Sequence, residues 1–268
     1  MTITELAPAK INLALHVRAR RPDGYHEIET LFAFCRDGDA VTVAEAASDS
    51  FTITGPFADA LIGQGNLVIA ARDAFAARFG TLRPLAITLD KQLPVASGIG
   101  GGSADAAAML RALARMRGVG IDEMAEIALA LGSDVPACLA GESAYGRGRG
   151  EQLTPAEGLT GRPVLLVNPG VAVSTAAVFA GWDGVDRGPL EPDAVSRNDL
   201  EAAARTIAPV IGNVLAILAA HPGVTLARMS GSGATCFALF DSEETRADAH
   251  AGIALGHPDW WCLETTFT

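Results

Sequence analysis

Between residues 10 and 17 apolar and polar positions alternate, so a strand there sends Lys10, Asn12, Ala14 and His16 to one face and Ile11, Leu13, Leu15 and Val17 to the other. Pro22-Asp23-Gly24 is a turn signal and residues 28–34 read as the returning strand, which makes a β-hairpin with Tyr25 and His26 just past its turn. Alternation at 40–43 and 51–54 keeps this part of the chain mostly β. The period then changes: Asn66 suits the amino-terminal cap of a helix over 67–79, and residues 83–90 return to β alternation. A helix over about 104–116 puts Met109, Leu110, Leu113 and Met116 on one stripe, and another over 123–131 has Asp122 as its cap and Gly132 as its stop.

The run Gly146-Arg-Gly-Arg-Gly150 leads into a polar, proline-containing stretch at 154–162, read as the passage between two lobes. Beyond it the pattern predicts a strand at 164–167, a helical segment at 178–182, a loop rich in Gly, Pro and Asp as far as Arg197, and helices at 200–207 and 211–220. Strands at 225–229 and 235–240 flank the turn Ser230-Gly-Ser-Gly233. There are no internal repeats. The expectation is an α+β chain of two lobes, 1–154 and 155–268.

Composition narrows the class of partner. The chain has 268 residues, 49% of them hydrophobic, enough for a sizeable core. Thirty-one acidic residues against twenty basic ones give a formal charge of −11, which repels a phosphate backbone and argues for a small solute rather than nucleic acid. The four cysteines, Cys35, Cys138, Cys236 and Cys262, are scattered without metal-ligand spacing and read as reduced core residues. Residues 1–8 show no basic stretch followed by an apolar run, and no uncharged run has membrane-spanning length, so a cytoplasmic protein with no membrane partner is expected.

The chemistry concentrates in a few places. Pro94-Val-Ala-Ser97-Gly98-Ile-Gly100-Gly101-Gly102-Ser103 sets four glycines between a strand and a helix, where bare backbone amides and a helix N-terminus suit a polyphosphate. It matches neither G-x-x-x-x-G-K-[ST] nor G-x-G-x-x-G. A flexible turn with Ser103 as an ordinary cap is the competing reading. Asp134, in Leu131-Gly-Ser-Asp-Val-Pro136, reads either as a helix cap, displaced by one if Pro136 opens the helix, or as a carboxylate that deprotonates an attacking hydroxyl. Lys10 is either a solvated edge lysine or a partner that holds Asp134 ionised and steadies a phosphoryl group. The turn at 230–233 is either a tight hairpin or a small anion nest.

Taken in order, Pro8-Ala-Lys-Ile-Asn-Leu13, Gly100-Gly-Gly-Ser-Ala-Asp-Ala-Ala107 and Ser230-Gly-Ser-Gly-Ala-Thr235 resemble the three motifs of the GHMP kinases. Arg21-Pro-Asp-Gly-Tyr-His-Glu-Ile28, Leu131-Gly-Ser-Asp-Val-Pro136 and Arg197-Asn-Asp-Leu-Glu201 are similar to members whose small-molecule substrate carries a cytidine diphosphate. The resemblance implies an amino-terminal lobe like the second domain of ribosomal protein S5 and a ferredoxin-like carboxy-terminal lobe. It implies ATP as phosphoryl donor, bound through Asn66, Lys91, Pro94, Ser97, Gly98, Gly100, Gly101, Gly102 and Ser103. A magnesium ion is expected to bridge the phosphates, with Ser103 a candidate contact.

On the acceptor side the resemblance implies Asp134 as catalytic base with Lys10 as its partner. Tyr25, His26 and Phe179 would hold the cytidine, Asn12 the other end of the substrate, and Ser232 and Gly233 further substrate atoms. Competing readings are a turn residue for Tyr25, a core residue for Phe179, a helix cap for Asn66 and an exposed strand-end lysine for Lys91. One departure is Ser97, where the family pattern leads to an expectation of glycine. The 181–197 loop yields no assignment.

Overall fold

The computed structural model describes residues 1–191 and 197–268. Its strands are β1 Thr2–Arg20, β2 His26–Glu45, β3 Ser50–Thr54, β4 Leu85–Asp90, β5 Ala144–Arg147, β6 Gln152–Pro155, β7 Pro163–Asn168, β8 Val224–Met229, β9 Cys236–Phe240 and β10 Trp261–Thr266. Its α-helices are α1 Leu67–Phe79, α2 Gly101–Arg117, α3 Ala125–Leu131, α4 Val135–Ala140, α5 Thr175–Ala180, α6 Glu201–Ile207, α7 Val210–Ala220 and α8 Glu243–Gly256. This is the expected α+β class. The described chain divides into two compact units that interleave along the sequence, one of residues 1–9, 37–95 and 100–141, the other of 10–36, 96–99 and 142–268. Strands β1 and β2 run through both.

In the first unit the end of β2 pairs antiparallel with β4, Ala40 opposite Asp90 and Glu45 opposite Leu85, and β3 lies parallel on the far side of β4. Helix α1 starts where Asn66 caps it, the Asn66 side chain accepting from the Val68 amide at 2.9 Å. It packs on α2, whose alanines 104, 106, 107, 108, 112 and 114 are buried with Met109, Leu110 and Leu113. So many small side chains let neighbouring backbones close on this helix from several sides.

In the second unit β5 lies antiparallel on the start of β2 and β6 on β5. The Gly-Arg run, for which the sequence pattern gave no element, thus belongs to a hairpin. Gly148 and Gly150 turn it with φ of +75° and +109°. A separate four-stranded antiparallel sheet has the order β10-β7-β9-β8. Its core gathers Leu165 and Val167 of β7, Cys236 and Ala238 of β9, Ile211, Val214 and Leu218 of α7, and Ala249 and Ile253 of α8, together with Leu15, Val17 and Ile28.

The hydrophobic pattern identified no element after residue 240, whereas α8 and β10 follow. Their local signals are Ser242, whose hydroxyl accepts from the Thr245 amide at 3.2 Å, followed by Glu243 and Glu244 in the first turn. The middle of β1 is buried on both faces, Lys10, Asn12 and His16 included, so Lys10 is not the solvated edge lysine of its competing reading.

Candidate active site

Helix α2 begins at Gly101, three residues earlier than its pattern predicts, with Gly100 as N-cap at φ +67° and its carbonyl accepting from the Ala104 amide at 2.9 Å. Ser103 is therefore in the first turn and not the cap. The amides of Gly101, Gly102 and Ser103 precede the first intrahelical bond, so they have no acceptor within α2 and share the positive end of its dipole. Such a helix start suits an anion.

Lys91 is no exposed strand-end residue. Its ammonium, 2% exposed, bonds Asp39 Oδ2 at 2.5 Å and Asp105 Oδ2 at 2.7 Å, both carboxylates being buried as well. The second Asp39 oxygen accepts from the amides of Gln92 and Leu93 at 2.6 and 2.8 Å. Burial pushes the Asp105 carboxyl up to about 7 against the pull of Lys91, with the like charge of Asp39 adding to the rise. A carboxyl whose folded value is raised adds stability that is complete below its ordinary value of 3.8 and is lost as pH rises through about 7. We expect urea unfolding at pH 5 and pH 8 to show stability changing less favourably with rising pH in the parent than in Asp105→Asn. An unchanged pH slope in the variant would exclude Asp105 as its source.

In the second unit the first and third motifs meet residues 97–99 through hydrogen bonds. Lys10 Nζ donates to Asn12 Oδ1 and Asn12 Nδ2 to Thr30 Oγ1, each at 2.8 Å. The Asn12 amide donates to Ser230 Oγ at 3.1 Å, and Ser230 Oγ donates on to the Gly98 carbonyl at 3.0 Å. The Lys10 amide meets the Ile99 carbonyl at 3.0 Å, and the Thr235 amide meets that of Ser97 at 3.1 Å. Gly98, at φ +77°, leaves no room for more: a Cβ there would lie 2.6 Å from the Ser230 carbonyl oxygen and 2.7 Å from that of Gly233. Ser97 has no such φ, so serine costs no strain where glycine was expected. Ser232 is buried, its hydroxyl 2.9 Å from that of Thr175.

The same unit brings His26 and Phe179 together, ring centroids 4.9 Å apart, with the Trp182 ring edge-on to His26 at 5.8 Å. Burial, then the charge of Arg20, lowers the His26 pKa, so the imidazole is neutral at pH 7, and its Nε2 has no hydrogen-bond partner among the described residues. Tyr25 is half exposed, with the Arg149 guanidinium 4.7 Å over its ring. Sequence reasoning missed Trp182 and Arg149, which lie far from Tyr25 and His26 in the chain.

It also passed over what the segment Arg197-Asn-Asp-Leu-Glu201 does. Asn198 Nδ2 donates to the carbonyls of Met229 and Gly231, both at 2.8 Å, while Asp199 takes the Val17 amide at 2.9 Å and Arg197 Nε at 2.7 Å. These side chains hold the second glycine turn and the end of β1. Residues 192–196 of the neighbouring loop lie outside the described residues.

Asp134, in the first unit, is the N-cap of α4 with Val135 as the first helical residue, not Val135 the cap as Pro136 suggested. Its side chain makes no cap hydrogen bond. The bland reading therefore holds for its position and not for its carboxylate. Among the described residues no three His, Cys, Asp or Glu side chains gather as a metal site.

Two family models match the chain, that of the GHMP kinases N terminal domain at residues 66–142 and that of the GHMP kinases C terminal at 189–254. The chain belongs to the GHMP kinase family. Its relatives include the 4-diphosphocytidyl-2-C-methyl-D-erythritol kinase of Rhizorhabdus wittichii, 55% identical over 97% of this chain and 93% of the relative. The kinase of the same name from Sphingopyxis alaskensis is 50% identical, covering 98% and 97%. A crystal structure of 4-(cytidine 5'-diphospho)-2C-methyl-D-erythritol kinase matches with TM-score 0.84 and 32% identity over 99% of both chains.

Proposed function

We propose that this kinase transfers the γ-phosphoryl group of ATP to the 2-hydroxyl of 4-diphosphocytidyl-2-C-methyl-D-erythritol, giving the 2-phosphate and ADP in the non-mevalonate route to isopentenyl diphosphate. Relatives of that name at 55% and 50% identity support the substrate. The observation that carries the reading is the bond chain from Lys10 through Asn12 and Ser230 to the Gly98 carbonyl, which ties the family's first and third motifs to the start of the glycine loop.

In this reading residues 1–154 form the lobe that takes the nucleotide, and 155–268 the second. Asn66 and Pro94 flank the nucleotide, and Ser97, Gly98 and Gly100 shape the loop whose next amides, of Gly101, Gly102 and Ser103, take the phosphates. Asp134 removes the proton of the 2-hydroxyl as its oxygen attacks the γ-phosphorus and ADP leaves; Lys10 steadies the transferring group. Ser103 would be a protein contact for magnesium, which when bound would neutralise charge on the triphosphate. Asn12, Ser232 and Gly233 place the methylerythritol end. We read the enzyme as cytoplasmic; among the described residues no helix is long and apolar enough to cross a membrane.

Tyr25, His26 and Phe179 form the cytosine subsite. Base–aromatic stacking amounts to about 1–3 kcal/mol, so Tyr25→Ala should raise the KM for the cytidine substrate about tenfold while leaving that for ATP alone. An unchanged substrate KM argues against stacking. A panel of the cytidine substrate, homoserine and mevalonate separates this reading from other kinases of the family: turnover of the first alone is expected, and preference for either of the others overturns it.

A further inference from the structure

Three chain segments of the first unit meet at Lys91: β2 through Asp39, the residue after β4 through Lys91 itself, and the opening turns of α2 through Asp105. All three residues are at most 3% exposed. Directly above them is Gly101, the first residue of α2, where a Cβ would come 3.0 Å from Lys91 Nζ and 3.6 Å from Asp39 Oδ2. Asp105 Oδ1 has no hydrogen-bond partner among the described residues.

Such a trio is a poor device for stability alone. Taking three charges out of water is costly, and apolar side chains of equal volume often serve as well or better. What apolar packing lacks is direction. Two charge-assisted bonds from one ammonium fix where α2 begins relative to β2, and Gly101 leaves the space beside that ammonium free of a Cβ. A displacement of Lys91 or Asp105 is therefore passed to the amides of Gly101, Gly102 and Ser103.

We propose that Lys91, held by Asp39 and Asp105, is a positioning residue that sets the phosphate-binding amides of α2 and does not itself touch the nucleoside. This rests on the reading of that loop as the ATP site. It replaces the expectation that Lys91 lies against the adenine or ribose, because its charge is committed inward. Asp105, spaced two residues from Ser103, acts through α2 in the same way.

The test uses the full chain and two probes, ATP and inorganic tripolyphosphate, the latter as a competitive inhibitor lacking a nucleoside. Asp105→Ala leaves Lys91 paired with Asp39 and places a strong helix former in α2, so it should fold. It is expected to raise the KM for ATP and the inhibition constant for tripolyphosphate by the same factor, about tenfold for a lost charge-assisted bond, with the KM for the cytidine substrate unchanged. Asp105→Asn keeps an oxygen for Lys91 and should restore both constants most of the way. Lys91→Met should likewise weaken both probes together. Parent-like constants in Asp105→Ala overturn the proposal, as does a Lys91→Met enzyme that loses ATP affinity and keeps that for tripolyphosphate, which is the pattern of a nucleoside contact. A parent enzyme that consumes no ATP refutes the underlying reading instead.

Discussion

Asp134→Asn is expected to retain fold and ATP binding while turnover falls at least about a hundredfold, or about 2.7 kcal/mol of transition-state stabilisation. The reasoning starts from its position. Asp134 is the N-cap of α4, and asparagine is as good an N-cap residue as aspartate, so the helix should form unchanged. The amide has the same shape as the carboxylate and cannot accept the proton of the substrate hydroxyl. The effect should fall on kcat with the KM for ATP and the thermal midpoint close to those of the parent. A variant with parent-like turnover removes Asp134 from the role of base.

Gly98→Ala should be strongly damaging. Its φ of +77° disfavours any Cβ, and that atom would lie 2.6, 2.7 and 2.8 Å from backbone atoms of Ser230 and Gly233, which have no flexible end to swing aside. Strain of about 1–3 kcal/mol for the backbone and a similar amount for overpacking add to about 2–6 kcal/mol. Gly63→Ala is the control: its φ is +74° and nothing lies within 4 Å, so it should lose only about 1 kcal/mol. Urea unfolding of the two variants measures the difference. Equal losses would mean that the contact between the first loop and the Ser230 turn is looser than the structure has it. Because Gly98 accepts the Ser230 hydroxyl, which in turn accepts the Asn12 amide, the variant should also lose most of its activity.

What the chain reveals by itself is local. Asn66 before an apolar helix, glycines between a strand and a helix, and a turn at 22–24 each act within a few residues, and each was legible. The three motifs were legible as a family pattern, and their physical connection was not: the bond from Asn12 to Ser230 spans 218 residues and the one from Ser230 to Gly98 spans 132. Lys91 shows the same limit. Its carboxylates are 52 residues before it and 14 after, so nothing nearby distinguishes a buried, doubly paired lysine from one at an exposed strand end. The hairpin at the Gly-Arg run was not legible because five residues alternating glycine and charge show no apolar alternation. Gly146 belongs to β5, and a Cβ there would lie 2.7 Å from the Phe32 ring, a reason for glycine that exists only across the sheet.

The central claim is tested most directly by one assay. The purified chain is given ATP and magnesium with and without 4-diphosphocytidyl-2-C-methyl-D-erythritol, and ADP release is followed beside the phosphorus spectrum of the products. The account predicts ADP release only when the cytidine substrate is present, with one new phosphomonoester formed per ADP. ADP release at the same rate without that substrate, or none with it, would contradict the account.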